Sequence, residues 1–307
     1  MKEKKQEIGI VVPTYNGGEV WRKAANSLKA QRADFDKILI IDSGSSDDTV
    51  QIAKEAGFDV VNIQSSEFNH GVTRNLGVHL INCDIVFFLT QDVIPEEKAI
   101  KTLSQVFNDS TIAVAYGRQL PHDYANPLAR HARLFNYKCD GYVYGIEDSS
   151  KHGIKTAFTS NSFAAYRIDY FKEVGEFPTN TIFGEDMFFT AKAILAGYKV
   201  AYIPDAIVRH SHNYSPVQEF RRYFDTGVFH CKESWLRKSF GGAESEGLRF
   251  VISEFSFLWK NKNLFWIPIA LINNFFKILG YKLGVNYQKL PFVMVKCFSM
   301  HKKYWNQ

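Results

Sequence analysis

The sequence predicts an α/β protein built on a parallel, Rossmann-like sheet. Short apolar runs alternate with helical patterns in the first half of the chain, polar loops follow the runs, and a basic, aromatic, mainly helical pattern closes it. Strands that alternate with helices pair in parallel. The 307 residues suffice for one large domain with an appendage. We expect a body over residues 1–215, with an insertion over 120–159, and a helical region over 216–307.

The body opens with a β–α–β–α–β pattern. Its predicted elements are the strands Ile8–Val12, Lys37–Ile41 and Val60–Ile63 and the helices Glu19–Gln31 and Asp47–Glu55. The later ones, in chain order, are the helix Val72–Ile81, the strand Ile85–Leu89, the helix Pro95–Phe107, the strand Ile112–Tyr116, the regular segment Ser162–Arg167, the helix Glu185–Ala196 and the strand Tyr198–Ile203. Residues 120–159 are irregular and rich in Tyr, His and Arg, which is typical of a substrate-binding insertion. Packing of those aromatic residues in a core explains them equally well.

Cysteine spacing and the chain start indicate the compartment. Cys83, Cys139, Cys231 and Cys297 form no CxxC or Cys/His pattern, so neither a disulfide framework nor a zinc site is expected. A reducing cytoplasm fits best. The start Met1–Glu7 is charged and has no apolar segment, which predicts no secretory signal.

The basic character of the chain belongs to its C-terminus. From Arg249 to Gln307 there are nine Lys and Arg residues and one acid, Glu254, so the formal charge of this tail is +8. Since the net charge of the whole chain is +5, the rest of the chain carries −3. Its longest uncharged run, Asn263–Phe276, is too short for a membrane span, which needs about 20 apolar residues. Aromatic residues and lysines nevertheless favour attachment to a membrane surface. Packing on the body and dimerisation are the alternatives.

Three polar loops follow predicted strands, and each should reach the same sheet edge. They are Pro13–Gly18, Asp42–Asp48 and Thr90–Asp92. Ligands of open α/β sheets bind at that edge. The chain has no GxGxxG and no GxxxxGK[ST], which argues against dinucleotide oxidoreductases and P-loop enzymes. A carboxylate at Asp92 could meet a metal-bound diphosphate, or it could simply cap a helix beginning at Pro95–Glu97.

The first two loops resemble those of family 2 glycosyltransferases of the GT-A fold. The resemblance implies that Thr14, Tyr15 and Asp42 hold the base and ribose of a nucleotide diphosphate sugar. It also assigns Pro13, Asn16 and Ser43 to the nucleotide-sugar site. Ser46 or Asp47 is expected, in addition, to cap the following helix.

Three further strings resemble the rhamnosyltransferase branch of this family. They are FNHGVTRNLG at 68–77, GRQLP at 117–121 and EFRRYFD at 219–225. At the start of a helix, Arg74 and backbone amides would point toward one anion. We expect Arg74, together with His70, Gln91 and Arg118, to contact the nucleotide sugar.

The string Thr90-Gln91-Asp92 departs from the family's usual DxD, since it has one acid instead of two. The resemblance implies that Asp92 binds Mg²⁺ or Mn²⁺ with a histidine about two dozen residues after the catalytic acid. His210 follows Asp186 by 24 residues. His212 is close enough to be confused with it, and a hydrogen-bonded surface histidine is the alternative.

Phe183–Asp186 matches the family's ED motif. The resemblance implies that Asp186 is the general base that takes the acceptor proton, and that Glu185 orients the acceptor. Inverting transfer needs such a base, because an acceptor hydroxyl loses its proton as the diphosphate leaves. Stabilisation of a first helical turn would also explain two acids here.

The resemblance implies a metal-dependent inverting glycosyltransferase that uses dTDP-rhamnose. Its expected acceptor is a polyprenyl-diphosphate-linked saccharide of O-antigen or capsule type, and its expected place is peripheral, on the cytoplasmic face of the cell membrane. We expect no nucleic-acid partner, and a homodimer through the C-terminal helices stays open. Alternatives are a galactofuranosyl or hexosaminyl donor, or a non-catalytic, membrane-attached subunit that binds nucleotide sugars.

Overall fold

A single mixed sheet organises the computed structural model, which describes residues 6–242 and 246–306. Most of the charged start Met1–Glu7 therefore lies outside the described residues. The sheet order is β3-β2-β1-β4-β8-β6-β9-β5, and β7 pairs with β9. The strands are β1 Ile8–Thr14, β2 Lys37–Asp42, β3 Asp59–Asn62, β4 Ile85–Leu89, β5 Ile94–Pro95, β6 Ile112–Leu120, β7 Tyr142–Tyr144, β8 Phe163–Arg167 and β9 Lys199–Arg209.

The N-terminal half of the sheet is the predicted parallel block. β1 pairs in parallel with both β2 and β4, and β2 pairs in parallel with β3. Register pairing of Thr14 with Asp42 puts the first two polar loops at one edge. β8 then runs antiparallel between β4 and β6, so the full sheet is mixed. The apolar runs of β1, β2 and β4 are buried on both faces, as strands covered by helices require.

Most predicted helices appear within one or two residues of their expected bounds. The helices of the body are α1 Gly18–Ala30, α2 Thr49–Glu55, α3 His70–Ile81, α4 Ala99–Ser104, α5 Pro127–Asn136, α6 Ser149–His152, α7 Ile168–Val174 and α8 Glu185–Leu195. The N-cap of α2 is Asp48, whose side chain makes no capping hydrogen bond, and the predicted Asp47, one residue earlier, accepts from the Thr49 amide at 3.0 Å. The segment 120–159, predicted to be irregular, contains α5, β7 and α6.

The predicted helix Pro95–Phe107 is wrong at its N-terminal end. Ile94–Pro95 forms the short strand β5, antiparallel to β9. Lys98 precedes α4 with a left-handed φ of 64°. Asp92 therefore lies outside any helix cap, and its Oδ1 accepts from Thr90 Oγ1 at 2.7 Å. The helical alternative for Asp92 is excluded because strand pairing takes the chain past it.

The C-terminal region is helical, as predicted, and shares the core of the body. Its helices are α9 Pro216–Lys232, α10 Ser234–Phe240, α11 Glu246–Lys260, α12 Ile267–Val285 and α13 Phe292–Phe298. Phe224, Val228 and Val295 belong to one buried cluster with Val11 and Phe88 of the sheet. These helices are therefore an integral layer on the body.

α12 packs on α9 through glycines. A Cβ atom on Gly284 would lie 2.0 Å from the Phe224 carbonyl oxygen, and one on Gly280 would lie 2.3 Å from the Phe220 carbonyl oxygen. A Cβ on Gly227 of α9 would lie 2.4 Å from the Tyr281 carbonyl oxygen. Glycine at these positions lets the two backbones approach closely, as in small-residue helix interfaces.

The opposite face of α12 is apolar and exposed. The buried positions of α12 include Asn273, Lys277 and Gly280. The exposed positions of the same helix are apolar and include Leu271, Ile272, Phe275 and Ile278. The segment Leu264–Val285 is long and apolar enough to cross a membrane by length and composition, and 22% of its apolar window is buried. This segment is longer than the uncharged run on which the sequence argument depended.

We expect Gly284→Ala to destabilise the protein by about 1–3 kcal/mol, because the new methyl group must push two helix backbones apart. Alanine favours a helix over glycine by about 1 kcal/mol, so any loss is steric. Urea unfolding at constant slope measures it. Gly247→Ala is the matched control, since no atom lies within 4 Å of its added Cβ. Equal stability of the two variants would contradict the close packing.

Candidate active site

The three polar loops meet at the carboxyl edge of the parallel strands, as predicted. Gln91 Oε1 accepts from the Tyr15 amide at 2.7 Å, and its Nε2 donates to the Tyr15 carbonyl at 3.0 Å. Asn16 accepts from the Ser46 amide at 2.8 Å, and its own amide donates to Ser45 Oγ at 2.8 Å. Gln91 thus acts as a clamp between two loops, and the Tyr15 ring is left 51% exposed at their junction.

Asp42 is buried beneath this junction. Its Oδ1 accepts from Thr14 Oγ1 at 3.0 Å and from Ser45 Oγ, and its Oδ2 accepts from the amides of Gly44 and Ser45 at 3.0 and 2.8 Å. Ser43 donates through its amide and its hydroxyl to the Thr14 carbonyl. A contact of Asp42 with base or ribose stays a prediction; the hydrogen bonds that the structure shows join its carboxylate to Thr14 and to its own loop, which it holds in shape.

Asp92, His210 and His212 form a cluster that could hold a metal ion. His210 Nε2 lies 3.3 Å from Asp92 Oδ2 and 3.1 Å from His212 Nε2, and His212 Nε2 lies 3.5 Å from Asp92 Oδ2. Adjacent ligands about 2.1 Å from an octahedral ion are about 3 Å apart, so the spacing fits a shared cation. The structure brings both candidate histidines to Asp92.

Gln119 fixes the orientation of His210. Its Oε1 lies 2.8 Å from His210 Nδ1, and its Nε2 donates to Ser160 Oγ at 3.0 Å. A carboxamide oxygen can only accept, so Nδ1 carries the proton and Nε2 offers its lone pair to the cluster. Such a partner behind a ligating histidine sets its tautomer. Arg133 donates to the same Oε1 at 2.8 Å.

Burial keeps both histidines of the cluster neutral near pH 7. Burial, followed by the charge of Arg133, lowers the pKa of His210. Burial, followed by His210, lowers the pKa of His212 to about 4. Neutral imidazole is the form that binds a metal.

Glu185 and Asp186 begin α8 and have different surroundings. Glu185 Oε1 lies 3.1 Å from Arg74 NH1 and accepts from Asn161 Nδ2 at 3.0 Å. Asp186 accepts from the amides of Asn161 and Met187 at 3.0 and 2.8 Å. Asn161 therefore touches both acids and holds them in register.

The pKa values of the two acids move in opposite directions. Burial raises the pKa of Glu185, but Arg74, His70 and Asn161 outweigh burial and lower it overall. Burial, followed by the negative charge of Glu185, raises the pKa of Asp186 to about 7. Such a pair gives one fixed charge and one carboxylate that can exchange a proton near neutral pH.

A cavity of about 590 Å³ connects the acids with the histidine cluster and with the C-terminal helices. Its lining includes Asp186, His210, Arg133 and Lys277. Two histidines, His70 and His301, also line it, with ring centroids 5.2 Å apart. The cavity can therefore hold an anionic ligand beside Arg133 or Lys277, and a second ligand beside the Asp186 carboxylate, whose pKa is raised.

Arg118 does not join the cavity lining. Arg118 and Gln119 are neighbours on β6, so their side chains leave opposite faces of the sheet. On its own face, the Arg118 Nε donates to the Tyr137 carbonyl at 3.2 Å. A contact of Arg118 with the nucleotide sugar stays a prediction, and its strand neighbour Gln119 instead accepts from Arg133, which does line the cavity. Arg74 and His70 lie in the cavity beside Glu185, away from the hydrogen-bonded loops.

Sequence reasoning missed Gln119, Arg133 and Asn161. The alternation of a strand through Gly117–Leu120 could have pointed to Gln119, had β6 been extended beyond Tyr116. Asn161 and Arg133 gave no such signal, because their partners lie on distant elements.

Two curated relatives cover nearly the whole chain. The O-antigen chain rhamnosyltransferase RfbN of Salmonella typhimurium is 52% identical over 303 residues, which span 98% of this chain and 96% of the relative. The O-antigen chain rhamnosyltransferase WbaN of Salmonella anatum is 51% identical over 300 residues, which span 97% and 95%.

Solved structures and a family match agree on the fold. The mannosyltransferase PcManGT from Pyrobaculum calidifontis, solved with GDP-Man and Mn²⁺, superposes with a TM-score of 0.58 at 14% identity, covering 99% of this chain and 86% of that chain. Staphylococcus aureus TarS residues 1–349 superpose with a TM-score of 0.52 at 16% identity, covering 92% and 91%. Residues 9–175 match the profile described as Glycosyl transferase family 2. With its mixed sheet, its polar strand-end loops and relatives matched along nearly its full length, this chain belongs to glycosyl transferase family 2.

Proposed function

We propose that this protein transfers rhamnose from dTDP-rhamnose, with inversion, to a polyprenyl-diphosphate-linked O-antigen precursor. The observation that carries the proposal is the 52% identity, over nearly the whole of both chains, to an O-antigen chain rhamnosyltransferase. The cavity supports it, because one space is lined by the two histidines of the candidate metal cluster and by the candidate base.

The donor lies, in this proposal, across the loop junction and the Asp92–His210–His212 cluster. Tyr15 offers an exposed ring to the base, and Asp42 keeps the loop around it in shape. Two imidazole nitrogens favour Mn²⁺ over Mg²⁺, which prefers oxygen ligands and strict octahedral geometry. When bound, the cation neutralises charge on the diphosphate.

Asp186 acts as the general base and Glu185 as the fixed charge that sets its basicity. The acceptor oxygen attacks the anomeric carbon, the bond to the diphosphate breaks, and the acceptor proton goes to Asp186. Proton transfer by a positioned group typically contributes about 10²–10⁴ in rate. The carboxylate of Glu185 is already bound by Arg74 and Asn161 and therefore does not bind the acceptor itself. Glu185 acts on the acceptor indirectly, through its effect on Asp186.

The C-terminal helices attach the enzyme to the membrane that carries the acceptor. Phe265 is 94% exposed and Trp259 71%; Lys260 and Lys262, which lie between them in the chain, and Lys282, in the last turn of α12, are also exposed. The remaining large exposed apolar residues that the structure describes in this region are Val217, Leu248, Ile252, Leu264, Ile269, Leu271, Ile272, Phe275, Ile278, Leu279, Phe292, Val293 and Met294. A surface helix ordinarily buries its apolar side. Since the buried positions of α12 are one alanine, two asparagines, one lysine and two glycines, we infer that its exposed apolar face meets lipid in the interfacial plane.

We expect dTDP-rhamnose with Mn²⁺ to raise the melting temperature of the protein more than UDP-glucose or UDP-N-acetylglucosamine does. The shift in melting temperature should be smaller after EDTA treatment, because EDTA removes the cation. It should also be smaller in Asp92→Ala or His210→Ala, because each substitution removes one ligand of the cation. His79→Ala is the control, since His79 is exposed and outside the cluster. A selective shift by a UDP sugar would replace the donor assignment. A full shift without divalent metal would remove the metal assignment.

The rate of transfer should fall about tenfold per pH unit below about pH 7 and reach a plateau above it, because only the ionised form of Asp186 accepts a proton. Asp186→Asn should abolish transfer and leave dTDP-rhamnose affinity within about twofold, since the lost group acts on the acceptor. Single-turnover transfer and calorimetry measure the two quantities. Asp169→Asn, on the exposed start of α7, is the control. Near-normal turnover by Asp186→Asn would exclude this base.

The intact protein should float with anionic vesicles at low salt, because apolar burial adds to about 1 kcal/mol of attraction per Lys near the surface. Phe265→Ser combined with Trp259→Ser should reduce flotation without changing the unfolding midpoint, since both side chains are exposed. Exposed Leu80→Ser, on α3, is the control. Failure of the intact protein to float, or equal flotation of the double variant, would contradict the assigned surface.

A further inference from the structure

Arg133 is a cavity cation without an acidic partner among the residues that the structure describes. It is half-buried on α5, and its hydrogen bond goes to the neutral Gln119 Oε1 at 2.8 Å. The other guanidinium and ammonium groups of the cavity are paired. Arg74 lies 3.1 Å from Glu185, and Arg222 and Lys277 lie 3.1 and 3.5 Å from Glu219.

The position of Arg133 relates it to the candidate metal cluster. Gln119 Oε1 accepts from Arg133 and from His210 Nδ1, each at 2.8 Å, so one oxygen atom separates the guanidinium from the histidine. Arg133 therefore lies along the wall of the cavity next to the cluster, on the side of α5.

The chemistry of a guanidinium indicates the ligand. Arginine offers five N–H donors in a planar fork that matches phosphate oxygens, and a charged group with a neutral partner in a confined space is incompletely compensated. An anion that reaches both the cluster and α5 would supply that compensation. A diphosphate has two linked phosphate groups and meets this requirement, whereas a monophosphate on the cluster does not need Arg133.

We propose that Arg133 binds the diphosphate of the donor nucleotide sugar and stabilises it as it leaves. This rests on the proposed function. In the transfer step the bond from the anomeric carbon to the phosphate oxygen breaks, and its electron pair stays on the diphosphate. The new bond forms to the acceptor oxygen, whose proton goes to Asp186. Arg133 balances the charge that develops on the leaving oxygen.

Two other roles for Arg133 make different predictions. It could act through Gln119 on the orientation of His210, in which case it is a positioning residue for the metal. Alternatively, the diphosphate could be that of the lipid-linked acceptor. Binding measurements without acceptor, together with the KM for the lipid-linked acceptor, separate all three.

The test compares Arg133→Gln and Arg133→Lys with Arg130→Gln in the full-length protein. Arg130 lies on the same helix, does not line the cavity, and donates to the Asp123 carbonyl at 3.4 Å. Calorimetry gives the affinities for Mn²⁺ alone, for dTDP with Mn²⁺ and for dTMP with Mn²⁺. We expect Arg133→Gln to weaken dTDP about 10- to 100-fold, as the loss of a charge-assisted hydrogen bond does. Affinities for dTMP and Mn²⁺ alone should stay unchanged, and Arg133→Lys should recover part of the loss.

Three outcomes would overturn the proposal. An equal loss of Mn²⁺ affinity would assign Arg133 to the orientation of His210. Unchanged dTDP affinity with a raised KM for the lipid-linked acceptor would assign it to the acceptor diphosphate. No change in either quantity would remove any ligand role. If the wild-type protein prefers another base, the same diphosphate and monophosphate comparison is made with that base, so a wrong donor and a wrong role for Arg133 are told apart.

Discussion

The buried ion pair between Arg74 and Glu185 is the interaction on which the rest of the site depends. It joins α3 to α8 across 3.1 Å, and both side chains are almost fully buried. A buried pair of this kind costs desolvation energy that its own attraction only partly offsets, so it is weak as a source of stability. Its effect here is electrostatic. It keeps Glu185 ionised next to Asp186, and that fixed negative charge helps to raise the pKa of Asp186.

The same constraint explains why the two adjacent acids differ. Without Arg74 two buried carboxylates side by side would share one charge. With it, Glu185 holds the charge and Asp186 is left to exchange a proton. Asn161 couples the two acids further, because its backbone amide donates to Asp186 and its side-chain Nδ2 donates to Glu185. The Tyr166 hydroxyl fixes this side chain by donating to its Oδ1 at 2.7 Å.

The histidine cluster depends on an irregularity in the sheet. β6 and β9 pair in parallel, but the register shifts after Gly117, which pairs with Ile203, so that Arg118 pairs with Ile207. A bulge of this kind re-aims the side chains beyond it. The His210 amide then donates to the Leu120 carbonyl at 2.8 Å, which places its ring beside Gln119 and Asp92. Thr90 stands where the first acid of a DxD would be, and two imidazoles that follow β9, His210 and His212, lie beside the remaining acid, Asp92.

The sequence by itself determined the parallel block, the three loops at its edge, the acids of α8 and the helical C-terminal region. These are local consequences of period, turn chemistry and strand–helix alternation, and the family's strings added the assignment of Asp92, His210 and Asp186. Only the tertiary structure decided the roles of groups whose partners are distant in sequence. Asp42 bonds its own loop, Arg118 points away because strand neighbours alternate, and Gln119 joins Arg133 of α5 to His210. The outward apolar face of α12 was decided in the same way, since glycine contacts with α9 fix which side of the helix is buried.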